Sequence, residues 1–280
     1  MTRTWLITGG SQGLGRALTL AALEAGDQVT ATSRRPEALD DLRKTYPERL
    51  LALPLDVTSP ASAREAVAAT VAEFGSVDVV VNNAGYATSS SVEDFPEDDF
   101  RAQIEANLFG VVNVTRAALP VLRGRRSGHF VQISSIGGRV GRTPGLSAYQ
   151  TAKFGVEGFS EVLASEVAPL GIKVTIVEPG GIRTGWTAGA ATASGAIGAD
   201  YDQTVGERLR MRAHYSGSEP GDPARMARAI VDVVDAQDPP RRLLLGSDAL
   251  EIALSAEEAR LAEARKWAGV SRSTDYPPQP

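Results

Sequence analysis

The chain of 280 residues contains no cysteine. Disulfides, thiolate nucleophiles and cysteine-ligated metals are therefore excluded. Histidine is nearly absent too: only His129 and His214 occur, far apart in the chain. Two histidines cannot make a three-histidine zinc site, and a Ser-His-Asp triad would have to use one of them. Basic charge is not in excess. Lys and Arg number 29 against 34 Asp and Glu, for a net charge of −5, so nucleic acid is not an expected partner. No apolar run approaches the roughly 20 residues that cross a bilayer. Fold-like sequence begins at about Thr4 and leaves no room for a secretory leader. We expect a soluble, cytoplasmic protein without a metal, and no catalytic role for either histidine.

What the chain does have is alternation. Short apolar runs read as buried strands: TWLIT (4–8), QVTATS (28–33), RLLALPL (49–55), VDVVV (77–81), HFVQIS (129–134), IKVTIV (172–177) and RLLLG (242–246). Between them lie segments with helical spacing. Residues 14–25 put Leu14, Leu18, Ala21, Ala22 and Ala25 on one face, and Gly26 ends the helix. Ser59 and Pro60 open a second helix that stops at Gly75. Segments 97–122 and 149–168 read as two longer ones. Ser255 and Glu258 have capping-box spacing and open a helix over 255–268. Strand–helix alternation predicts an α/β fold: a doubly wound, mainly parallel, seven-stranded sheet with helices on both faces, Rossmann-like. We expect one domain over 1–268, with a substrate loop at 185–222, a C-terminal helix within 248–268 and a flexible tail at 269–280. Ligands of such sheets sit at the carboxyl ends of the strands.

The stretch TGGSQGLG (8–15) follows the first strand and opens the first helix, the setting that a dinucleotide site requires. Gly9 suits a tight turn. Gly13 leaves room for a pyrophosphate at the helix N-terminus, and Gly15 allows close helix–sheet packing. Ser11, Gln12 and Leu14 complete the loop. The second strand ends in Ser33, Arg34 and Arg35 rather than a carboxylate. A hydroxyl and guanidiniums suit a 2′-phosphate, so NADP(H) is favoured over NAD(H). Asp56, followed by Val57, could hydrogen-bond an adenine or serve only as a turn residue. Farther on, Tyr149 and Lys153 stand four residues apart on one helix face. A nearby ammonium favours a phenolate, which would make a tunable general acid and base. Ser134 and Ser135 end a strand just upstream, where a hydroxyl can steady charge on a substrate oxygen.

With these motifs the chain resembles the short-chain dehydrogenase/reductases of compact, single-domain type. TGGSQGLG, NNAG (82–85), the asparagine of ANLFG, ISS (133–135), YQTAK (149–153) and PGGIRT (179–184) occur in that family's order over about residues 4–246. The resemblance implies that Tyr149 exchanges a proton with the substrate oxygen and that Ser135, in preference to Ser134, polarises that oxygen. It implies that Lys153 lowers the tyrosine pKa and binds the nicotinamide ribose. Asn107 would help hold a water that joins Lys153 to solvent, or would only fill a helix kink. Asn83, Ala84 and Gly85 would line the adenosine side; Pro179, Gly180, Ile182 and Thr184 would border the nicotinamide. A homodimer or homotetramer built on the helices at 97–122 and 149–168 is implied as well. The serine-to-tyrosine spacing is one residue longer than the commonest, and Gln132 stands where many members have asparagine.

After Thr184 the chain is rich in Ala, Gly and Ser, as a closing lid would be. Trp186, Tyr201, Met211 and Tyr215 are candidates for an apolar pocket. The expected activity is interconversion of a lipophilic, aromatic, polyketide-like or steroid-like ketone or aldehyde with its alcohol. The alternatives are an NAD-dependent alcohol dehydrogenase and a non-catalytic dinucleotide sensor.

Overall fold

The computed structural model describes residues 2–276. In chain order the elements are β1 (Thr4–Thr8), α1 (Gly13–Glu24), β2 (Gln28–Ser33), α2 (Asp40–Thr45), β3 (Leu50–Pro54), α3 (Pro60–Phe74) and β4 (Val79–Asn82). Then come α4 (Glu97–Ile104), a π turn (Glu105–Phe109), α5 (Gly110–Arg125), β5 (Gly128–Ile133), α6 (Ile136–Arg139), α7 (Ser147–Val167) and β6 (Ile172–Pro179). The last are α8 (Trp186–Ala190), α9 (Glu207–Tyr215), α10 (Pro223–Asp235), β7 (Arg242–Leu245) and α11 (Ser247–Ser273).

The seven strands form one sheet in the order β3-β2-β1-β4-β5-β6-β7, and every pairing is parallel. The strands are mostly buried because both faces of the sheet are covered, and the polar residues they carry, such as Thr30, Thr32, Gln132 and Thr175, are buried with them. Trp5, Ile7, Val79 and Val81 face α1 and α10, in a core with Leu18 and Ile230. Leu6, Val80 and Phe130 face the other way, in a core with Val114, Leu122 and Leu163 of α5 and α7. The chain moves outward from β1 to β3, then returns to β4 on the other side of β1. The crevice at that reversal is where this topology binds ligands.

The expected caps are present. The Ser59 hydroxyl accepts from the Ser62 amide, and Gly75 takes the left-handed conformation that ends α3. Two helices differ from expectation. The segment expected as one helix over 97–122 is interrupted by the π turn. The C-terminal helix starts at Ser247, directly after β7, and runs to Ser273. The capping-box spacing at Ser255 therefore does not mark its start; the run from Ser247 is dominated by good helix formers and has no breaker near that serine. Of the expected tail, residues 269–273 are helical and 277–280 lie outside the described residues. No helix among the described residues is long and apolar enough to cross a membrane.

Candidate active site

A cleft of about 990 Å³ opens along the carboxyl ends of β1, β2, β4, β5 and β6. Each predicted site residue except Gly15 lines it. Gly15 acts from behind: a Cβ there would lie 2.2 Å from the Gly9 carbonyl oxygen and 2.4 Å from Asn83 Nδ2. Gly9 and Gly13 have positive φ, 65° and 54°, which the turn into α1 requires. Gly10, overlooked in the sequence, donates its amide to the Thr32 carbonyl at 2.9 Å. A Cβ on it would press on Ala31 at 2.9 Å. The first turn of α1 has no acidic residue and no side-chain cap, so its free amides form an anion-receiving end.

Thr8 and Asn83 hold this loop to β4. Thr8 Oγ1 accepts from the Asn83 and Ala84 amides at 2.9 and 3.0 Å. Asn83 Nδ2 donates to the Thr8 carbonyl at 2.8 Å. Asn83 is thus a brace as well as a lining residue, and Thr8 is the partner that sequence alone did not flag. Behind them, Asn82 Nδ2 donates to Gln132 Oε1 at 2.9 Å, so the glutamine is a satisfied buried partner.

At the end of β2 the Ser33 hydroxyl accepts from the Arg35 amide at 2.9 Å. This turn presents Arg34 and Arg35 to the cleft. Asp56 Oδ1 accepts from the Thr58 amide and hydroxyl at 3.0 and 2.8 Å. The turn role is therefore met by one carboxylate oxygen, while Asp56 and Val57 still border the cleft.

The helix of Tyr149 and Lys153 brings the tyrosine hydroxyl to Ser135 and the lysine ammonium to the end of β5. Ser135 caps α6 by accepting from the Gly137 amide at 3.0 Å. Tyr149 is buried, and burial pushes its phenol up to about 12, against the pull of the Ser135 hydroxyl. The Ser134 hydroxyl is buried and turned away, where a Cβ on Gly138 would meet it at 2.5 Å. Lys153 Nζ lies 5.7 Å from the Tyr149 ring centroid and donates to the Ile133 carbonyl at 2.7 Å. Burial lowers Lys153 to about 8, while Glu157 holds it up. The expected lowering of the tyrosine pKa by Lys153 is thus not seen in this site, where burial dominates and the Ser135 hydroxyl is the group that opposes it.

Asn107 is fully buried in the π turn. Its Nδ2 donates to the Gln103 and Tyr86 carbonyls at 2.8 and 2.9 Å, and its Oδ1 accepts from the Tyr86 amide at 3.1 Å. The side chain therefore fills the kink and ties it to the loop after β4. The Asn107 side chain also crowds Gly85, where a Cβ would meet Oδ1 at 2.4 Å and Lys153 Nζ at 3.9 Å.

Of the four candidates for the apolar pocket, Trp186 alone reaches the reacting groups. Its ring centroid is 4.9 Å from that of Tyr149, in a small apolar cluster with Ala87, Leu146 and Ala190. Tyr201 instead donates to Glu93 at 2.7 Å, and Met211 and Tyr215 are exposed. Tyr86 and Ala87 were not anticipated as pocket residues, yet both line the cleft. Neither histidine does. His129 is buried beside Thr175, where desolvation lowers it to about 4. No cluster of metal-ligating side chains occurs among the described residues.

The family model for short chain dehydrogenases matches residues 3–194. The chain is a short-chain dehydrogenase/reductase. This oxidoreductase is 50% identical over 272 residues to Oxidoreductase BOA17 of Botryotinia fuckeliana, covering 97% of this chain and 98% of that protein. The crystal structure of a short-chain dehydrogenase from Streptomyces avermitilis superposes with a TM-score of 0.88 at 42% identity, over 99% of this chain and 100% of that one. The closed form of a serine dehydrogenase complexed with NADP+ superposes at 0.75 with 26% identity, over 86% of this chain and 94% of its own. Dehydrogenase/reductases with this fold thus include dinucleotide-bound members.

Proposed function

We propose that this short-chain dehydrogenase/reductase interconverts a lipophilic ketone or aldehyde with its alcohol, using NADP(H). The observation that carries the cofactor choice is the pair Arg34 and Arg35 at the end of β2, where a carboxylate would have repelled a 2′-phosphate. The cleft fits such a cofactor: glycines leave its floor clear at Gly9 and Gly13, and the start of α1 offers unpaired amides. Arg34, Arg35 and Ser33 would hold the 2′-phosphate, the loop 9–14 the pyrophosphate, and residues 179–184 the nicotinamide end. Bound there, the nicotinamide supplies or accepts the hydride.

The chain's own groups handle the proton. Ser135 donates a hydrogen bond to the substrate oxygen, and Tyr149 passes its phenolic proton to that oxygen in reduction or takes it back in oxidation. With its pKa raised to about 12, Tyr149 is protonated at neutral pH and ready to donate. Lys153, as an ammonium beside the ring, eases formation of the phenolate. Trp186, Ala87 and Leu146 supply an apolar wall that excludes water from this transfer. Exposed Phe109, Phe154 and Val162 support self-association through the helices that carry them. We take residues 1–268 as one catalytic domain.

A panel of lipophilic carbonyls and alcohols, followed by NADPH and NADH absorbance, tests the reading. Turnover with preference for NADPH is expected. Dinucleotide binding without turnover of any compound would instead favour a sensing role.

A further inference from the structure

The turn Pro179–Thr184 is held on several sides. Gly180 donates its amide to the Leu245 carbonyl at 2.9 Å, and Gly221 donates to the Gly181 carbonyl at 2.9 Å. Thr184 lies against Gly13, where a Cβ would meet it at 3.4 Å. A further hold comes from Asp248, 67 residues along the chain from Gly181. Its Oδ2 accepts from the Gly181 amide at 2.8 Å. Its Oδ1 is buried without a hydrogen-bond partner and occupies the space where side chains on two glycines would go. A Cβ on Gly180 would lie 2.2 Å from it, and a Cβ on Gly246 2.5 Å. A buried carboxylate oxygen with no partner carries a cost and calls for a compensating role. Placement in the first turn of α11 offsets part of that cost through the helix dipole.

We infer that Asp248 is a positioning residue: from outside the cleft, it fixes the Gly180–Gly181 turn in the shape that receives the nicotinamide end of the cofactor. Gly180 and Gly181 line the cleft and Asp248 does not, so it acts through the turn. Gly180 is small here because the carboxylate lies against it. The C-terminal helix thereby contributes to the turn through its own first turn. This inference rests on the cofactor reading above.

The test compares two ligands on the intact protein by titration calorimetry: whole NADPH, and ADP-ribose with its 2′-phosphate form, which lack nicotinamide. Asp248→Ala should weaken NADPH about tenfold, the worth of one charge-assisted hydrogen bond, and leave the ADP-ribose ligands unchanged. Asp248→Asn keeps an acceptor for the Gly181 amide and should restore most of the NADPH affinity; it also serves if the alanine variant folds poorly. Unchanged NADPH affinity in Asp248→Ala, or equal weakening of both ligand types, overturns the positioning role alone. A wild-type protein that binds neither ligand type overturns the cofactor reading and this inference with it.

Discussion

The half of the cleft proposed for the cofactor has a floor of glycine and strand-end backbone, whereas the half proposed for the substrate is walled by side chains of loops and short helices. On the first side, Gly9, Gly10 and Gly15 pack against the Asn83, Ala31 and Gly9 atoms that surround them, and Thr8 and Asn83 stitch two neighbouring strands together. Every support is a strand end of a sheet buried on both faces. On the second side, α8 spans five residues and α9 buries none of its own. Of these short helices, α8 reaches the reacting groups, with Trp186 against Tyr149. The difference follows from the ligands. A dinucleotide presents the same diphosphate whatever the substrate and can be met by fixed amides; a lid that closes over a substrate must move, so its wall would hang from weakly packed elements.

The comparison can be broken most sharply where the halves meet. Tyr149→Phe should lower kcat about a thousandfold, the scale of lost acid–base catalysis, with dinucleotide affinity unchanged in titration. Turnover at the wild-type rate would remove Tyr149 from the chemistry. On the cofactor side, Gly15→Ala drives a Cβ into the Gly9 carbonyl and should cost about 1–3 kcal/mol of stability, together with weaker dinucleotide binding. Denaturant melts and titration check both; a neutral variant would show that the loop is looser than its contacts suggest. Arg34→Ala should weaken NADPH about tenfold and leave NADH unaltered, the loss of one charge-assisted contact. Equal affinities before and after would end the case for NADP(H). On the substrate side, Trp186→Ala should raise KM for lipophilic substrates about fivefold through lost apolar contact, with cofactor affinity unmoved. If NADPH binding falls as well, the two sides are not built independently.

How much of this was legible depended on range. The glycine loop, the Ser59 cap, the Gly75 stop and the Tyr149–Lys153 pair are local patterns, and local backbone geometry makes them readable. Ser135 is already preferred over Ser134 in the sequence; what the turn into α6 adds is the geometry, one hydroxyl at Tyr149 and the other buried near Gly138. A kink at Asn107 is one of two readings that the sequence leaves open, and the sequence cannot fix its form because the carbonyls and amide that satisfy Asn107 belong partly to Tyr86, on another segment. Trp186 could not be distinguished from Tyr201, Met211 or Tyr215 by composition, since all four stand in one Ala- and Gly-rich stretch. Only packing against Tyr149 separated them.

By itself the sequence determined the seven strands, their helical covers and the order of the motifs, because apolar periodicity and glycine placement act within a few residues of themselves. It also determined which residue types were available for proton transfer: no cysteine, two histidines, and one tyrosine spaced from a lysine by a helical turn. The tertiary structure decided the rest. It buried Tyr149 and Lys153 enough to push their pKa values in opposite directions. It brought Thr8 to Asn83 and Asp248 to Gly181 across 75 and 67 residues of chain. Desolvation and contacts of that span depend on what the whole fold places nearby, and no local pattern records them.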